Sequence, residues 1–283
     1  MEHINWYPGH MKKTEEQITQ YLKLVDVVCE LLDARIPNSS RNPNILGRTQ
    51  AKPRVIVLNK QDLADPEVTK QWREEFLKEA AHVLPLNAQS GTGVKSLRAT
   101  LEHLRDERNR ESARKRPLRL MIVGVPNVGK SSLINRLIGR KGTRTGNKPG
   151  VTRGVQWLNL GSDIQLLDTP GVLWPKFDDP KTGLNLAYCG VIKDEVLDLQ
   201  QLALSLCGLL MIHYPRNLID RYRLTGPEEG SGAPLEVLEE IAKNRGHVIA
   251  GGRFDYERTA RMLLDDFRQG RLGRITLEFP EGF

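Results

Sequence analysis

Apolar residues gather along this chain in short, non-alternating runs. Residues 25–32, 54–58, 83–86 and 120–123 are rich in Val, Ile and Leu, broken only by Asp26, Glu30, Arg54 and Pro85. Runs of that length without alternation predict strands buried on both faces. Helical spacing follows over 69–80, 94–104 and 132–138, each behind a polar or glycine-bearing loop. Residues 154–160 and 163–167 alternate instead, around Gly161-Ser162, and predict a β-hairpin. From Leu184 onward the period is helical, through 196–212, 217–224, 235–241 and 256–267. Pro215, Gly226-Pro227 and Gly251-Gly252 punctuate it. A last short strand is expected over 274–279. The pattern predicts an α/β domain at 21–178, a helical domain at 179–283 and an N-terminal arm at 1–20.

The chemistry concentrates in the loops after the buried runs. Gly124-Val-Pro-Asn-Val-Gly-Lys-Ser131 lies between a strand and a helix and has the spacing G-x-x-x-x-G-K-S. That is a phosphate-binding loop. Its glycines allow close backbone approach, and its N–H groups cradle phosphate oxygens at a helix N-terminus. Asn127, Val128, Gly129 and Ser132 are expected to line it. Lys130 is expected to reach the β- and γ-phosphates, and the Ser131 hydroxyl to ligate Mg²⁺.

The run at 54–58 ends in Asn59-Lys-Gln-Asp62, which reads N-K-x-D. A carboxylate at Asp62 can accept from N1–H and the exocyclic amine of guanine together, a pairing adenine cannot offer. Asn59 and the Lys60 stem would shape the rest of a base pocket. After the run at 83–86 comes Asn87-Ala-Gln-Ser-Gly. The Ala88 backbone N–H is the candidate donor to guanine O6.

Thr152, in a loop rich in glycine and basic residues, is placed to close over Mg²⁺ and the γ-phosphate. Asp168-Thr-Pro-Gly171 is D-x-x-G. It predicts an indirect Mg²⁺ carboxylate at Asp168 and a γ-phosphate-sensing N–H at Gly171.

Together these are the five parts of a circularly permuted P-loop GTPase, because the base motifs precede the phosphate loop and its switches. Domain termini often lie close together, so the rearrangement is physically tolerable. The permuted order runs Asp168–Gly171 almost straight into the helical domain, which suggests that a γ-phosphate-dependent move there reports nucleotide state. The position after D-x-x-G holds Val172, which cannot orient the attacking water as Gln does in many GTPases. His10, in a Pro-Gly-His-Met turn, is the candidate to do so. His82, His103, His213 and His247 have no motif around them.

Composition adds three points. The net charge of +7 suggests a polyanionic partner. Three widely separated cysteines fit neither a disulfide framework nor a zinc site, so a cytoplasmic setting is expected. The N-terminal residues lack the pattern of a secretory signal, and no apolar run approaches membrane-spanning length. Seven basic residues at 105–119 read as a helix end and solvated linker, and six more lie at 136–153.

Trp6-Tyr-Pro-Gly-His-Met11, Asp33-Ala-Arg-Ile-Pro37, the motif order and Asp168-Thr-Pro-Gly-Val-Leu-Trp-Pro175 resemble the ribosome biogenesis GTPase A (YlqF) family over essentially the whole chain. The resemblance implies a cytoplasmic GTPase in late assembly of the large ribosomal subunit, stimulated by the ribosome. It also implies a helical domain on ribosomal RNA, His10 as catalytic group, and potassium-stimulated hydrolysis through Asn127. Neither a membrane nor DNA is an expected partner. Hydrolysis that drives release and an RNA-docked checkpoint locked by GTP remain alternative readings. A GTPase of tRNA modification or membrane traffic is weaker, since nothing resembles a modification domain or lipid anchor.

Overall fold

The computed structural model describes residues 20–49, 52–110, 115–139, 144–145, 157–167, 179–225 and 233–281. They fall into two compact units: 20–167 with 278–281, and 179–277.

In the first unit the buried runs become the strands β1 (Val27–Asp33), β2 (Arg54–Asn59), β3 (His82–Pro85) and β4 (Leu118–Val123). β5 (Arg144–Thr145), β6 (Trp157–Asn159) and β7 (Ile164–Leu167) complete a sheet of order β3-β2-β1-β4-β7-β6-β5. The pairs β1–β2, β2–β3, β1–β4 and β4–β7 are parallel, and β6 is antiparallel to both β5 and β7. Every residue of β1 is buried, so both faces of the central strand are covered, as its mostly apolar, non-alternating sequence predicts.

Helix α1 (Pro43–Thr49) is not anticipated from the pattern; the Asn42 side chain accepts from the Asn44 N–H at its start. α2 (Pro66–Leu77) begins three residues before the expected 69. Asp65 caps it by accepting from the Glu67 and Val68 N–H groups, and Pro66 occupies the first turn. Val68, Trp72 and Phe76 of α2 pack with Leu32, Ile56 and Leu58. α3 (Val94–Arg110) runs past the expected 104 into the supposed linker. Its basic end is tied down rather than solvated: Arg105 donates to the Ser162 carbonyl, and Arg108 pairs with Asp26 at 2.6 Å. α4 (Lys130–Ile138) buries Leu133, Ile134 and Leu137.

The second unit contains α5 (Pro180–Tyr188), α6 (Leu199–His213), α7 (Pro215–Tyr222), α8 (Pro234–Asn244) and α9 (Tyr256–Arg268). Leu202, Leu206 and Leu210 of α6 and Leu263, Leu264 and Phe267 of α9 are buried. Among the described residues no single helix is long and apolar enough to cross a membrane.

The strand expected over 274–279 does not form. The backbone of Thr276 is satisfied by the Tyr214 hydroxyl, which donates to its carbonyl and accepts from its N–H, so no neighbouring strand is needed. Glu278 then belongs to the first unit.

Candidate nucleotide-binding site

Three parallel strands deliver three loops to one edge of the sheet. β2 ends in Asn59, β3 leads to Asn87-Ala88, and β4 leads to Gly124–Ser131. From β1 the chain proceeds to β2 and β3 on one side, while β4 lies on the other. The carboxyl ends of β1 and β4 therefore flank a topological switch point, the crevice where open α/β sheets hold ligands.

Asn59 joins these loops. Its side chain is buried; Nδ2 donates to the Val128 carbonyl at 2.7 Å, and Oδ1 accepts from the Ala88 N–H at 2.9 Å. Its own carbonyl accepts from the Ala34 N–H at 2.8 Å. One side chain thus holds the phosphate loop and the loop after β3 in fixed register. The Ala88 N–H, expected to face guanine O6, is instead taken by Asn59, whose buried carbonyl oxygen needs a donor. Ala88 is left to shape the wall.

The phosphate loop has the backbone its glycines predict. Gly129 has φ 105° and a Cβ there would overlap the Asn59 amide nitrogen; one on Gly124 would lie 2.5 Å from the Leu31 carbonyl. Asn127 is left-handed too, with φ 58°. Lys130 lies at the start of α4 and its ammonium donates to the Gly124 and Val125 carbonyls at 2.9 and 3.0 Å. The group is thereby held across the loop it is expected to serve. Ser131 and Ser132 are exposed in the first turn of α4, which has no side-chain cap. The N–H groups of its first turn and its positive end suit an anion.

On the base side, Lys60 has φ 59° and is half-buried, while the following Asp62 is exposed. The Gln61 N–H donates to the Leu86 carbonyl at 3.2 Å, which ties 59–62 to the loop after β3. The Asn87 carboxamide accepts from the Gln89 and Ser90 N–H groups and fixes that loop. His10, Thr152, Asp168, Gly171 and Val172 lie outside the described residues.

No motif chemistry pointed to Asp33 and Arg35, yet the structure brings them to this edge. Asp33 is opposite Asn59 in the β1–β2 register and accepts from the Lys60 ammonium at 2.8 Å. Burial pushes the Asp33 carboxyl up, but the Arg35 guanidinium and the Lys60 ammonium overcome it and hold the group well below the usual carboxylate range. The available signal was positional: Asp33 and Asn59 end two adjacent buried runs.

Over 99% of its length the chain is 45% identical to a Bacillus cereus protein named ribosome biogenesis GTPase A, and the match covers 95% of that protein. The chain belongs to the ribosome biogenesis GTPase A family. A Priestia megaterium member of the family is 44% identical over 98% of this chain and 97% of its own length. The crystal structure of GNP-bound YlqF from T. maritima is similar over 96% of this chain and all of that chain, with TM-score 0.67 and 29% identity. Residues 119–208 match a family model described as a 50S ribosome-binding GTPase. As a member of the ribosome biogenesis GTPase A family the chain hydrolyses GTP to GDP and phosphate.

The donor set suits the Mg²⁺ that usually accompanies guanine nucleotides in GTPases. Ser131 presents an exposed hard hydroxyl oxygen at the helix N-terminus beside the Lys130 cation. Among the described residues no cluster of His, Cys, Asp and Glu forms a separate metal site.

Proposed function

We propose that this GTPase acts in the cytoplasm on a precursor of the large ribosomal subunit late in its assembly. It binds GTP with Mg²⁺ and docks on pre-ribosomal RNA, and ribosome-stimulated hydrolysis is coupled to release. The observation that supports this best is the Asn59 bridge: a base motif and a phosphate loop locked together at the sheet's switch point. Full-length similarity to proteins named for ribosome biogenesis supplies the setting.

In this reading the N–H groups of residues 127–132 cradle the phosphates, and Lys130 exchanges its loop carbonyls for phosphate oxygens. Ser131 and Thr152 ligate Mg²⁺, with Asp168 acting through water; the metal neutralises charge on the β- and γ-phosphates. Asp62 selects guanine, with Asn59, Lys60, Asn87 and Ala88 forming the pocket walls. Gly171 senses the γ-phosphate. Asn127, already left-handed, offers a carboxamide oxygen to K⁺. Because Val172 cannot orient water, His10 does so on the ribosome. Either the remaining basic residues of 105–119 or those of 136–153, together with the helical unit, meet RNA phosphate.

The test is steady-state GTP hydrolysis by wild type and His10→Ala, each with and without purified large subunits. Stimulation of wild type alone supports the proposal. Equal stimulation of both moves catalysis to another group. No stimulation of either, with GTP binding intact, rejects the ribosome as activator.

A further inference from the structure

We propose that Asp33 is a positioning residue for nucleotide binding: with Arg35 it fixes the Lys60 side chain at the base pocket. The inference rests on the reading of 59–62 as that pocket. Asp33 is the last residue of β1, the strand flanked by β2 and β4, and its side chain is 1% exposed. Oδ1 accepts from the Arg35 backbone N–H at 3.1 Å and from Nε at 2.9 Å. Oδ2 accepts from Arg35 Nη2 and from Lys60 Nζ, each at 2.8 Å. The Asp33 N–H donates to Ser40 Oγ at 3.0 Å. The carboxylate is therefore clamped from four directions and cannot turn away.

Such a clamp exceeds what packing needs. Arg35 alone would neutralise Asp33, and its two guanidinium hydrogen bonds already make a bidentate pair. The second cation adds something else. Lysine carries a long flexible stem, and immobilising it at the moment of binding costs affinity. Here the ammonium is anchored beforehand, while 22% of the side chain stays accessible. Its stem is thus presented beside Asn59, in a backbone already turned left-handed at φ 59°.

The experiment is a double-mutant cycle on GDP affinity, read by dissociation of a fluorescent GDP analogue, with Asp33→Asn, Lys60→Met and the double variant. Asp33→Asn is expected to weaken GDP about tenfold, the scale of releasing one rotamer-rich side chain. In the Lys60→Met background the same change should add almost nothing. Losses that multiply, or an Asp33→Asn protein that binds like wild type, would overturn the assignment. Lys60→Met binding GDP like wild type would instead reject the base-pocket reading beneath it.

Should Asp33→Asn not fold, Lys60→Arg gives the answer. Its guanidinium can still pair with the Asp33 carboxylate, so its loss of GDP affinity should be smaller than that of Lys60→Met. Equal losses in both would overturn the proposal.

Discussion

Replacing Asn59 by alanine should expose how much of the first unit depends on one carboxamide. The substitution removes two hydrogen bonds, to the Val128 carbonyl and from the Ala88 N–H. Val128 and Ala88 are themselves buried, at 1% and 2% exposure, so neither backbone group can turn to water. Each buried group left unpaired costs about 1–3 kcal/mol, so the loss should be about 3 kcal/mol. With Trp6 and Trp174 replaced by Phe in every variant, tryptophan fluorescence isolates the relevant unit. Trp72 and Trp157 belong to it, and residues 179–277 contain no tryptophan. With a urea slope of about 2 kcal/mol per molar, the midpoint should fall by roughly 1.5 M. Asn59→Asp keeps the acceptor for Ala88 but turns a negative oxygen toward the Val128 carbonyl, so it should be no milder. A midpoint within about 0.3 M of wild type, less than one ordinary hydrogen bond, would refute the bridge.

Other expectations are equally direct. Gly129→Ala forces a Cβ into the Asn59 amide at φ 105° and should weaken GDP binding at least about tenfold by titration; unchanged affinity would contradict the close packing. Glu278→Ala strips the acceptor used by the Asn38 and Ser39 N–H groups and should lower the stability of the first unit by about 2 kcal/mol in the same urea assay. Because Asp33 is depressed in the folded state, its contribution is fully present above about pH 5 and is lost as pH falls below about pH 4. The urea midpoint should therefore drop on that acid side, and less steeply in Asp33→Asn; identical slopes would argue against the buried ion cluster. Burial pushes the Cys29 and Cys207 thiols up to about 12, so neither should react with a thiol reagent at pH 8 until the protein unfolds.

The motifs and the buried strands were legible because their signals are local. Val27–Asp33 and Arg54–Asn59 carry Val, Ile, Leu and Cys at most positions without a polar alternation, as a strand covered on both faces does. What escaped depends on partners far along the chain. Asn38-Ser-Ser-Arg-Asn42 looks like solvated loop, yet Ser39 and Ser40 are buried. Ser39 bonds to Glu278 and Ser40 bonds to Asp33. The segment after Arg274 has strand-like residues, but a tyrosine hydroxyl replaces a strand neighbour. Charge misled at 105–110, where arginines bond to carbonyls and carboxylates instead of water. In Asp33 an acidic residue closing an apolar run gives no hint of which cations will meet it.

The position of Glu278 also bears on how the protein is made. Its carboxylate meets Ser39, and its carbonyl accepts from the Trp72 indole at 2.8 Å. A growing chain carries Ser39 and Trp72 out of the ribosome early, and every residue of the second unit is synthesised before Glu278 follows. Strands β1 to β4 can pair in order of synthesis, but the segment that covers Ser39 and Trp72 arrives late. During translation that surface must wait, with buried hydroxyls and an indole still open to water or to a chaperone. Folding of the first unit thus finishes only after the second has been made, whichever unit collapses sooner.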